Sequence, residues 1–330
     1  MLNRAFSIGG QVDRLKGALR SGSSAARLGM FLKALGPFTR LLDKMIYGAL
    51  YGNEGKEEKL STCLMIVGPP RSGSTIIYQV LARAIPCVYI SNLHPLFPNC
   101  ASSYMLRNGL FGVNLVGFHN YYGYTSSIYD VNEGNEIVGT FFRGNANKEL
   151  IRERFIKSAS AIGTTQERPL IFKNLKAYSH ISRLHEAVPE IVFLRVKRDP
   201  EQVIKSVVRA YHELGTFHPV PKALVNCEIN DPVEFAVRQI LEIERVIDLQ
   251  IEQIQKPARL EWWYEDFCSA PWPMIKNLAE NYLKMDPSLL RRDAVPELQI
   301  SKHLKVSTDE AYRISLLLQQ YTNNNVGQQS

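Results

Sequence analysis

The sequence predicts an α/β fold of three layers, in which helices flank a mainly parallel central sheet. From residue 62 onward, short apolar runs of strand length alternate with amphipathic helical patterns. Two helices are predicted to begin at Asp-Pro pairs, at 199–200 and at 231–232. Neighbouring parallel strands need a crossover connection, usually a helix, so this alternation indicates a parallel sheet. The 330 residues, 45% of them hydrophobic, suit one large domain with an extension.

Residues 1–58 are predicted to form a basic helical arm and linker ahead of the main domain at 59–330. Apolar residues recur at helical spacing on both sides of a Gly-Ser stretch at 21–24. Residues 1–45 contain eight Lys or Arg against two Asp, so they hold +6 of the net charge of +7. Through residues 1–50 the arm is expected either to lie on an anionic membrane surface or to pack on the main domain or a partner helix.

Cysteine usage and hydropathy indicate a cytoplasmic protein that could also attach peripherally to a membrane. The five cysteines lie far apart without a C-x-x-C pair, which favours a reducing compartment over a zinc site or a disulfide framework. No apolar stretch approaches the ~18 residues that a spanning helix needs. The N-terminus also lacks the apolar block of a secretory signal. No nucleic-acid partner is expected, and the oligomeric state stays open.

The main domain is predicted to open with a strand, a glycine loop and a helix. The strand is TCLMIV at 62–67, the helix runs over 74–85, and a second strand follows at 87–90. Residues 91–150 are rich in Asn, Gly and Tyr and are predicted to form an insert of long functional loops around short helices. Beyond it the patterns predict strands at 169–173, 190–196 and 258–267, helices at 178–188, 200–214, 231–255 and 273–283, and a disordered tail at 322–330.

The loop GPPRSGST, residues 68–75, nearly matches a phosphate-binding P-loop. A glycine loop between a buried strand and a helix points backbone N–H groups and the helix dipole at one place, which makes an anion site. The lysine of the usual G-x-x-x-x-G-K-[ST] pattern is replaced by Ser74, and the cation inside the loop is Arg71. The missing lysine argues against ATP or GTP hydrolysis by the usual route.

PRSGST resembles the 5′-phosphosulfate loop of sulfotransferases that use 3′-phosphoadenosine 5′-phosphosulfate (PAPS), in the branch with carbohydrate, tyrosylprotein and bacterial members. RDPEQVIKS, residues 198–206, resembles the 3′-phosphate motif of the same family, and it too opens a helix at a strand exit. The resemblance spans about residues 60–285. It implies a P-loop-like sulfotransferase fold, PAPS as donor, 3′-phosphoadenosine 5′-phosphate (PAP) as product and no required metal. The implied donor-binding residues are Arg71, Ser72, Gly73, Ser74, Thr75, Arg198 and Ser206.

The resemblance also implies a lysine near the transferred group, but it leaves the general base open. IFKNL resembles the family strand that carries this lysine, which is Lys173 here. Cytosolic members have a histidine two residues later, where this chain has Leu175. The remaining candidates for the base come from the insert: Glu133 first, Glu136 second and His94 third.

The sequence therefore predicts an intracellular enzyme that moves a sulfuryl group from PAPS to a hydroxyl acceptor by in-line displacement. The acceptor is expected to be a carbohydrate, a lipid-linked sugar or a small metabolite. Two alternatives stay open. One is a divergent P-loop kinase, and the other is a non-catalytic scaffold that binds the nucleotide at a membrane surface.

Overall fold

A computed structural model describes most of the main domain. It covers residues 60–97, 118, 120–121, 124–125, 127–162, 168–300 and 306–326, together with twelve helical positions (27–28, 31, 34–36, 38–39, 41–43 and 45). Most of the predicted arm at 1–58, and residues 98–117 of the predicted insert, therefore lie outside the described residues.

A five-stranded sheet forms the centre of the domain, and all of its neighbouring strands are parallel. The strands are β1 (Cys63–Val67), β2 (Val88–Tyr89), β5 (Leu170–Lys173), β6 (Ile191–Lys197) and β7 (Arg259–Trp263), in the order β2-β5-β1-β6-β7. A separate antiparallel pair joins β3 (Asn120–Tyr121) to β4 (Tyr124–Thr125). The predicted α/β class with a parallel sheet is confirmed.

Helices connect these strands. They are α1 (Ser74–Ala84), α2 (Asn135–Phe141), α3 (Lys148–Ile162), α4 (Ile181–Ala187), α5 (Pro200–Leu214), α6 (Pro232–Glu252), α7 (Tyr264–Ser269), α8 (Pro271–Asn277) and α9 (Thr308–Val326). A 3-10 turn at Ala177–His180 precedes α4, and a π-helical turn at Leu278–Tyr282 follows α8.

The central strand β1 is buried on both faces, which gives the domain its three layers. Its side chains alternate between two apolar clusters, with Met65 in one and Leu64 and Ile66 in the other. The first cluster includes residues of α2, α3, α4 and α6, and the second includes residues of α1, α7 and α8. A continuous apolar strand is what a parallel sheet covered on both faces requires.

Both Asp-Pro pairs begin helices as predicted. The Asp199 side chain accepts a hydrogen bond from the Glu201 N–H, and Pro200 is the first residue of α5. The Asp231 side chain accepts hydrogen bonds from the Val233 and Glu234 N–H groups at the start of α6. Asp231 also pairs with Arg313 of α9, so this cap ties the last helix to the domain.

Several predicted boundaries are wrong. The predicted strand at 258–267 ends at Trp263, and Tyr264 begins α7 instead. The predicted disordered tail at 322–330 is helical as far as Val326, because α9 packs on α5 and α6 along an apolar stripe that includes Ile314 and Leu317. The described part of the insert contains the short helix α2, as predicted, and the start of α3. None of the described helices combines the length and apolar composition needed to cross a bilayer.

Because Asp231 caps α6, replacing it should measurably lower the stability of the fold. We expect Asp231→Ala to lower the free energy of unfolding by about 1–2 kcal/mol, because it removes an N-cap and the ion pair with Arg313. Urea unfolding followed by circular dichroism measures this loss. The matched control is Glu228→Ala, since Glu228 is exposed and has no ion pair among those of the described residues. An equal effect of the two variants would contradict the capping role.

Candidate active site

The carboxyl ends of the parallel strands bring four segments to one edge of the sheet. The loop at 68–73 follows β1, Lys173 ends β5, Arg198 follows β6, and Tyr264 follows β7. In open parallel sheets this edge is where ligands bind, because the loops and helix N-termini face it. The two sequence motifs meet here although more than a hundred residues separate them.

The loop between β1 and α1 requires its glycines. Gly73 has φ +88°, and a Cβ on it would lie 2.1 Å from the Tyr264 ring. A Cβ on Gly68 would lie 2.7 Å from the Val196 carbonyl oxygen. Arg71 itself adopts φ 69°, a left-handed conformation that is uncommon for a residue with a side chain. The close packing therefore fixes the loop that leads into the N-terminus of α1.

Hydrogen bonds join the two motifs directly. The Arg71 Nε donates to the Ser206 Oγ at 2.9 Å. The Arg198 Nη1 donates to the Arg71 carbonyl oxygen at 3.2 Å. Two guanidinium groups and a hydroxyl thus converge beside the start of α5, as the resemblance to a 3′-phosphate motif implies.

Arg198 is held by aromatic and acidic neighbours but keeps hydrogen-bonding capacity. Its side chain is 9% exposed, its guanidinium lies 4.7 Å from the centre of the Tyr264 ring, and its Nε lies 3.8 Å from the Glu265 Oε1. That distance is too long for a hydrogen bond, and among the described residues the Nε has no other acceptor. The buried Ser72 Oγ likewise has no hydrogen-bond partner within the described part of the chain. Buried donors without acceptors are costly, so an anion bound here would satisfy them.

Lys173 connects the loop to the predicted base. Its side chain is 2% exposed, and its Nζ donates to the Thr75 Oγ1 at 2.9 Å and to the Glu133 Oε1 at 2.7 Å. Among the described residues Glu133 is the carboxylate that forms an ion pair with Lys173. The structure therefore brings Thr75, Lys173 and Glu133 together in one chain of polar contacts.

The backbone around Glu133 is fixed by the residue after Lys173. The Asn174 Nδ2 donates to the Glu133 carbonyl oxygen at 2.9 Å, and the Asn174 Oδ1 accepts from the Ala177 N–H. Gly134, at φ +61°, packs against Ile90 and begins α2. These contacts hold Glu133 at the end of β5 rather than leaving it in a solvated loop.

The charge state of Glu133 follows from two opposing effects. Burial raises the pKa of the Glu133 carboxyl, but the ammonium and the hydrogen bond of Lys173 lower it more, and the charge of His218 acts in the same direction. The pKa of Glu133 therefore lies below its ordinary value. At neutral pH the group is a carboxylate and can accept a proton.

The other two candidates for the base occupy different environments. Glu136 lies in the first turn of α2 and is half-buried. His94 is 3% exposed, and its Nδ1 accepts a hydrogen bond from the Ser91 N–H at 2.9 Å. Burial lowers the pKa of His94 to about 4, so the ring is neutral at physiological pH. The geometry favours Glu133 over both.

Sequence reasoning missed two residues near Glu133. Asn174 follows Lys173 directly, but nothing in its sequence context distinguishes it from a turn residue. His218 lies in a proline-flanked loop after α5, and its influence on the pKa of Glu133 places it beside the site. The sequence did contain a signal that His218 lies near the site, because its loop directly follows α5, the helix that carries Ser206.

Two cations, Arg183 and Lys222, lie near the His180 ring. The His180 ring stacks on Phe142 with centroids 4.5 Å apart, and the Arg183 guanidinium lies 5.9 Å from the same ring. Burial and the charges of Arg183 and Lys222 lower the pKa of His180. Arg183 donates to the Ala146 carbonyl oxygen, and within the described part of the chain no carboxylate forms an ion pair with Arg183 or Lys222. The area is therefore positively charged.

Across the described ranges, no group of three or more His, Cys, Asp or Glu side chains could hold a metal ion. The polar groups at the carboxyl edge are instead cations, hydroxyls and the Glu133 carboxylate. This set suits an anionic ligand next to a proton acceptor.

The family follows from the comparison with known protein families. The model of the sulfotransferase family matches residues 64–282, well over half of the chain. The chain belongs to the sulfotransferase family. The matched range contains the glycine loop, Glu133, Lys173 and the Arg198–Ser206 motif, and the family supports a sulfotransferase activity.

Solved sulfotransferases share the fold. The sulfotransferase STF9 from Mycobacterium avium aligns with a TM-score of 0.54 at 14% identity, over 81% of this chain and 78% of that chain. The sulfotransferase STF1 from Mycobacterium tuberculosis aligns with a TM-score of 0.55 at 11% identity, over 93% of this chain and 92% of that chain. At these identities the likeness shows the fold alone. No curated protein matches the sequence.

The contact between Gly73 and Tyr264 predicts that substitution by alanine affects stability very differently at Gly73 and at Gly139. Gly73→Ala is expected to lower the free energy of unfolding by about 1–3 kcal/mol, because a Cβ at φ +88° would strain the backbone and collide with the Tyr264 ring. Thermal and urea unfolding measure this cost. The control is Gly139→Ala in α2, where a Cβ meets nothing within 4 Å. There we expect no loss, or a gain of up to about 1 kcal/mol. Equal stability of the two variants would contradict the packing argument.

Proposed function

We propose that this sulfotransferase transfers the sulfuryl group of PAPS to a hydroxyl group of an acceptor. The observation that carries the proposal is the convergence of Arg71, Arg198 and Ser206 at one end of the loop while Thr75, Lys173 and Glu133 meet at the other. A donor with a 3′-phosphate and a 5′-phosphosulfate needs two separate anion sites. When bound, PAPS would supply an activated sulfuryl group on a phosphate leaving group.

The residues present fit such a donor. The loop amides of residues 72–75 and the N-terminus of α1 would hold the 5′-phosphosulfate. Arg71, Arg198 and Ser206 would hold the 3′-phosphate, which distinguishes PAPS from ordinary adenine nucleotides. The buried Arg198 Nε and Ser72 Oγ, which lack hydrogen-bond acceptors, support an anionic ligand at both places.

Lys173 and Glu133 would divide the chemistry at the reacting end. Sulfuryl transfer resembles phosphoryl transfer, in which positioning and charge stabilisation provide most of the catalysis. The Lys173 ammonium, already on the Thr75 hydroxyl, would neutralise charge on the sulfuryl or leaving-group oxygens. The Glu133 carboxylate would accept the proton of the acceptor hydroxyl. The Asn174 side chain keeps Glu133 in place through its carbonyl oxygen.

The pairing of Lys173 with Glu133 also makes the strength of the base depend on whether an anionic ligand occupies the loop. A base with a lowered pKa is weak, since the best general base titrates near the operating pH. An ammonium that shifts toward anionic oxygens at the loop interacts less with Glu133, and the pKa of Glu133 then rises. The base would therefore become stronger when the loop is loaded.

Two basic residues near the His218 loop favour an acceptor that carries negative charge. Arg183 follows β5 in the chain and Lys222 follows His218, and the charges of both act on His180. An acidic carbohydrate or a phosphorylated metabolite fits better here than a neutral one. An acceptor screen should therefore pair each neutral compound with an acidic analogue, such as octyl glucoside with octyl glucuronide.

The first experiment tests donor recognition. Calorimetric titration with PAP in magnesium-free buffer should show binding to the wild type and at least about tenfold weaker binding to Arg198→Ala. The loss is expected because the Arg198 guanidinium is buried and can contact the 3′-phosphate. The control is Arg209→Ala in α5, the helix that follows Arg198, where Arg209 is exposed and pairs with Glu213. It should bind PAP as the wild type does.

Two results would overturn the donor assignment. Failure of the folded wild type to bind PAP would mean that the motifs do not form one nucleotide site. Tighter binding of magnesium-ATP than of PAP would revive a kinase, although the family match and the missing loop lysine argue against it. A scaffold without turnover would bind PAP normally but release none from PAPS with any acceptor.

A second experiment tests the base. Glu133→Gln should lower kcat by about 10²–10⁴-fold with little change in PAP affinity, because it removes the proton acceptor and leaves the donor contacts intact. PAP release with the best acceptor of the screen measures this. The wild type should also lose activity as pH falls and Glu133 is protonated, and no such carboxylate-dependent limb should remain in the variant.

The exposed Glu153→Gln in α3 is the matched control and should behave as the wild type. Full kcat in Glu133→Gln together with a large loss in Glu136→Gln would transfer the role to Glu136. Full activity of both variants would remove the insert carboxylates from the mechanism.

A further inference from the structure

Exposed apolar side chains cluster on the helical positions that are described in the N-terminal arm. Phe31, Phe38, Leu41, Leu42 and Met45 are exposed to between 51% and 79%. They make up half of the large hydrophobic residues that are exposed in the described part of the chain. We call these five residues the arm stripe.

The described positions of the arm are helical, and the arm stripe has the spacing of one helical face. At 3.6 residues per turn its members fall within an arc of roughly 100°. Gly36 and Asp43 fall on the other side of the same helical wheel, and both are buried. The described positions therefore reverse the pattern of an ordinary packed helix, because the apolar side chains point to solvent while a small residue and an acid are covered.

An outward apolar face of this size needs a partner, since scattered exposure of single residues is normal but a continuous stripe is not. The charge of the arm indicates which kind of partner covers this face. Residues 1–45 carry eight Lys or Arg against two Asp, whereas the remaining residues contribute only +1 of the net +7. A basic segment with Phe and Leu on one helical face is typical of helices that lie in the interface of anionic membranes.

We propose that the arm stripe inserts into the surface of an anionic lipid bilayer and holds the enzyme there. The apolar side chains would enter the boundary between headgroups and acyl chains, and the cations of the arm would attract anionic headgroups. Such attachment would bring the enzyme to acceptors at a membrane surface, but it does not depend on which acceptor is used.

The test is vesicle flotation of the full chain. Vesicles of phosphatidylcholine alone are compared with vesicles that contain phosphatidylserine at a ratio of about 3:1, at low and at high salt. The wild type should float with the anionic vesicles. The double variant Phe38→Ser/Leu41→Ser should partition at least about tenfold more weakly, because it removes apolar surface from the stripe. Loss of phosphatidylserine or addition of salt should weaken wild-type binding as well.

The matched control is Leu249→Ser/Leu289→Ser, since both leucines are exposed to a similar degree, 49% and 57%, in the main domain. It should float like the wild type. Binding of PAP by all three proteins shows that each is folded, and circular dichroism provides the same check if PAP does not bind. The membrane test therefore stands even if the proposed donor fails.

Two outcomes would overturn the proposal. Equal flotation of the wild type and the Phe38→Ser/Leu41→Ser variant, or no flotation of either, would show that the stripe does not bind lipid. A wild-type dimer in light scattering that the stripe variant loses, without lipid binding, would assign the stripe to a second copy of the chain.

Discussion

The buried ammonium group of Lys173 is the interaction on which the site depends. With 2% of its side chain exposed, it needs compensating partners, and it finds them in the Thr75 hydroxyl and the Glu133 carboxylate. Removing either partner would leave a buried charge only partly satisfied. Lys173 therefore fixes the distance between the anion-binding loop and the insert. The same ammonium lowers the pKa of Glu133, so it sets the charge of the proposed base as well as its position.

The parallel sheet makes this arrangement available. β5, β1, β6 and β7 end at one edge, so the residues that follow each strand meet there. Lys173 belongs to the strand itself and is therefore rigidly placed. Arg198 follows its strand directly and is clamped by the Tyr264 ring and by the Arg71 carbonyl oxygen. Rigid strand ends carry the cations, while the insert supplies Glu133.

The loop differs in sequence from the usual phosphate-loop pattern, and close packing against its neighbours fixes its conformation. Gly73 lies against Tyr264, and Gly68 lies against the backbone of β6, so the loop is supported by a strand and by the first residue of α7. The cation that a P-loop lysine would provide comes instead from Arg71 within the loop and from Lys173 on the adjacent strand. The positive charge is thereby spread along the site rather than concentrated at one residue. Such a distribution suits a ligand with two separated anionic groups.

The sequence by itself determined the fold class, the helix starts at Asp199 and Asp231, and the two motifs at 68–75 and 198–206, because these depend on local patterns. It also named Glu133 among three candidates. It did not reveal that Glu133 meets Lys173, that Asn174 holds it, or that α9 orders most of the predicted tail, since these contacts join residues far apart in the chain. Periodicity reports which face of a segment is apolar, but only tertiary packing decides what covers that face. For the arm stripe, packing left the apolar face open, although its sequence resembles that of any amphipathic helix.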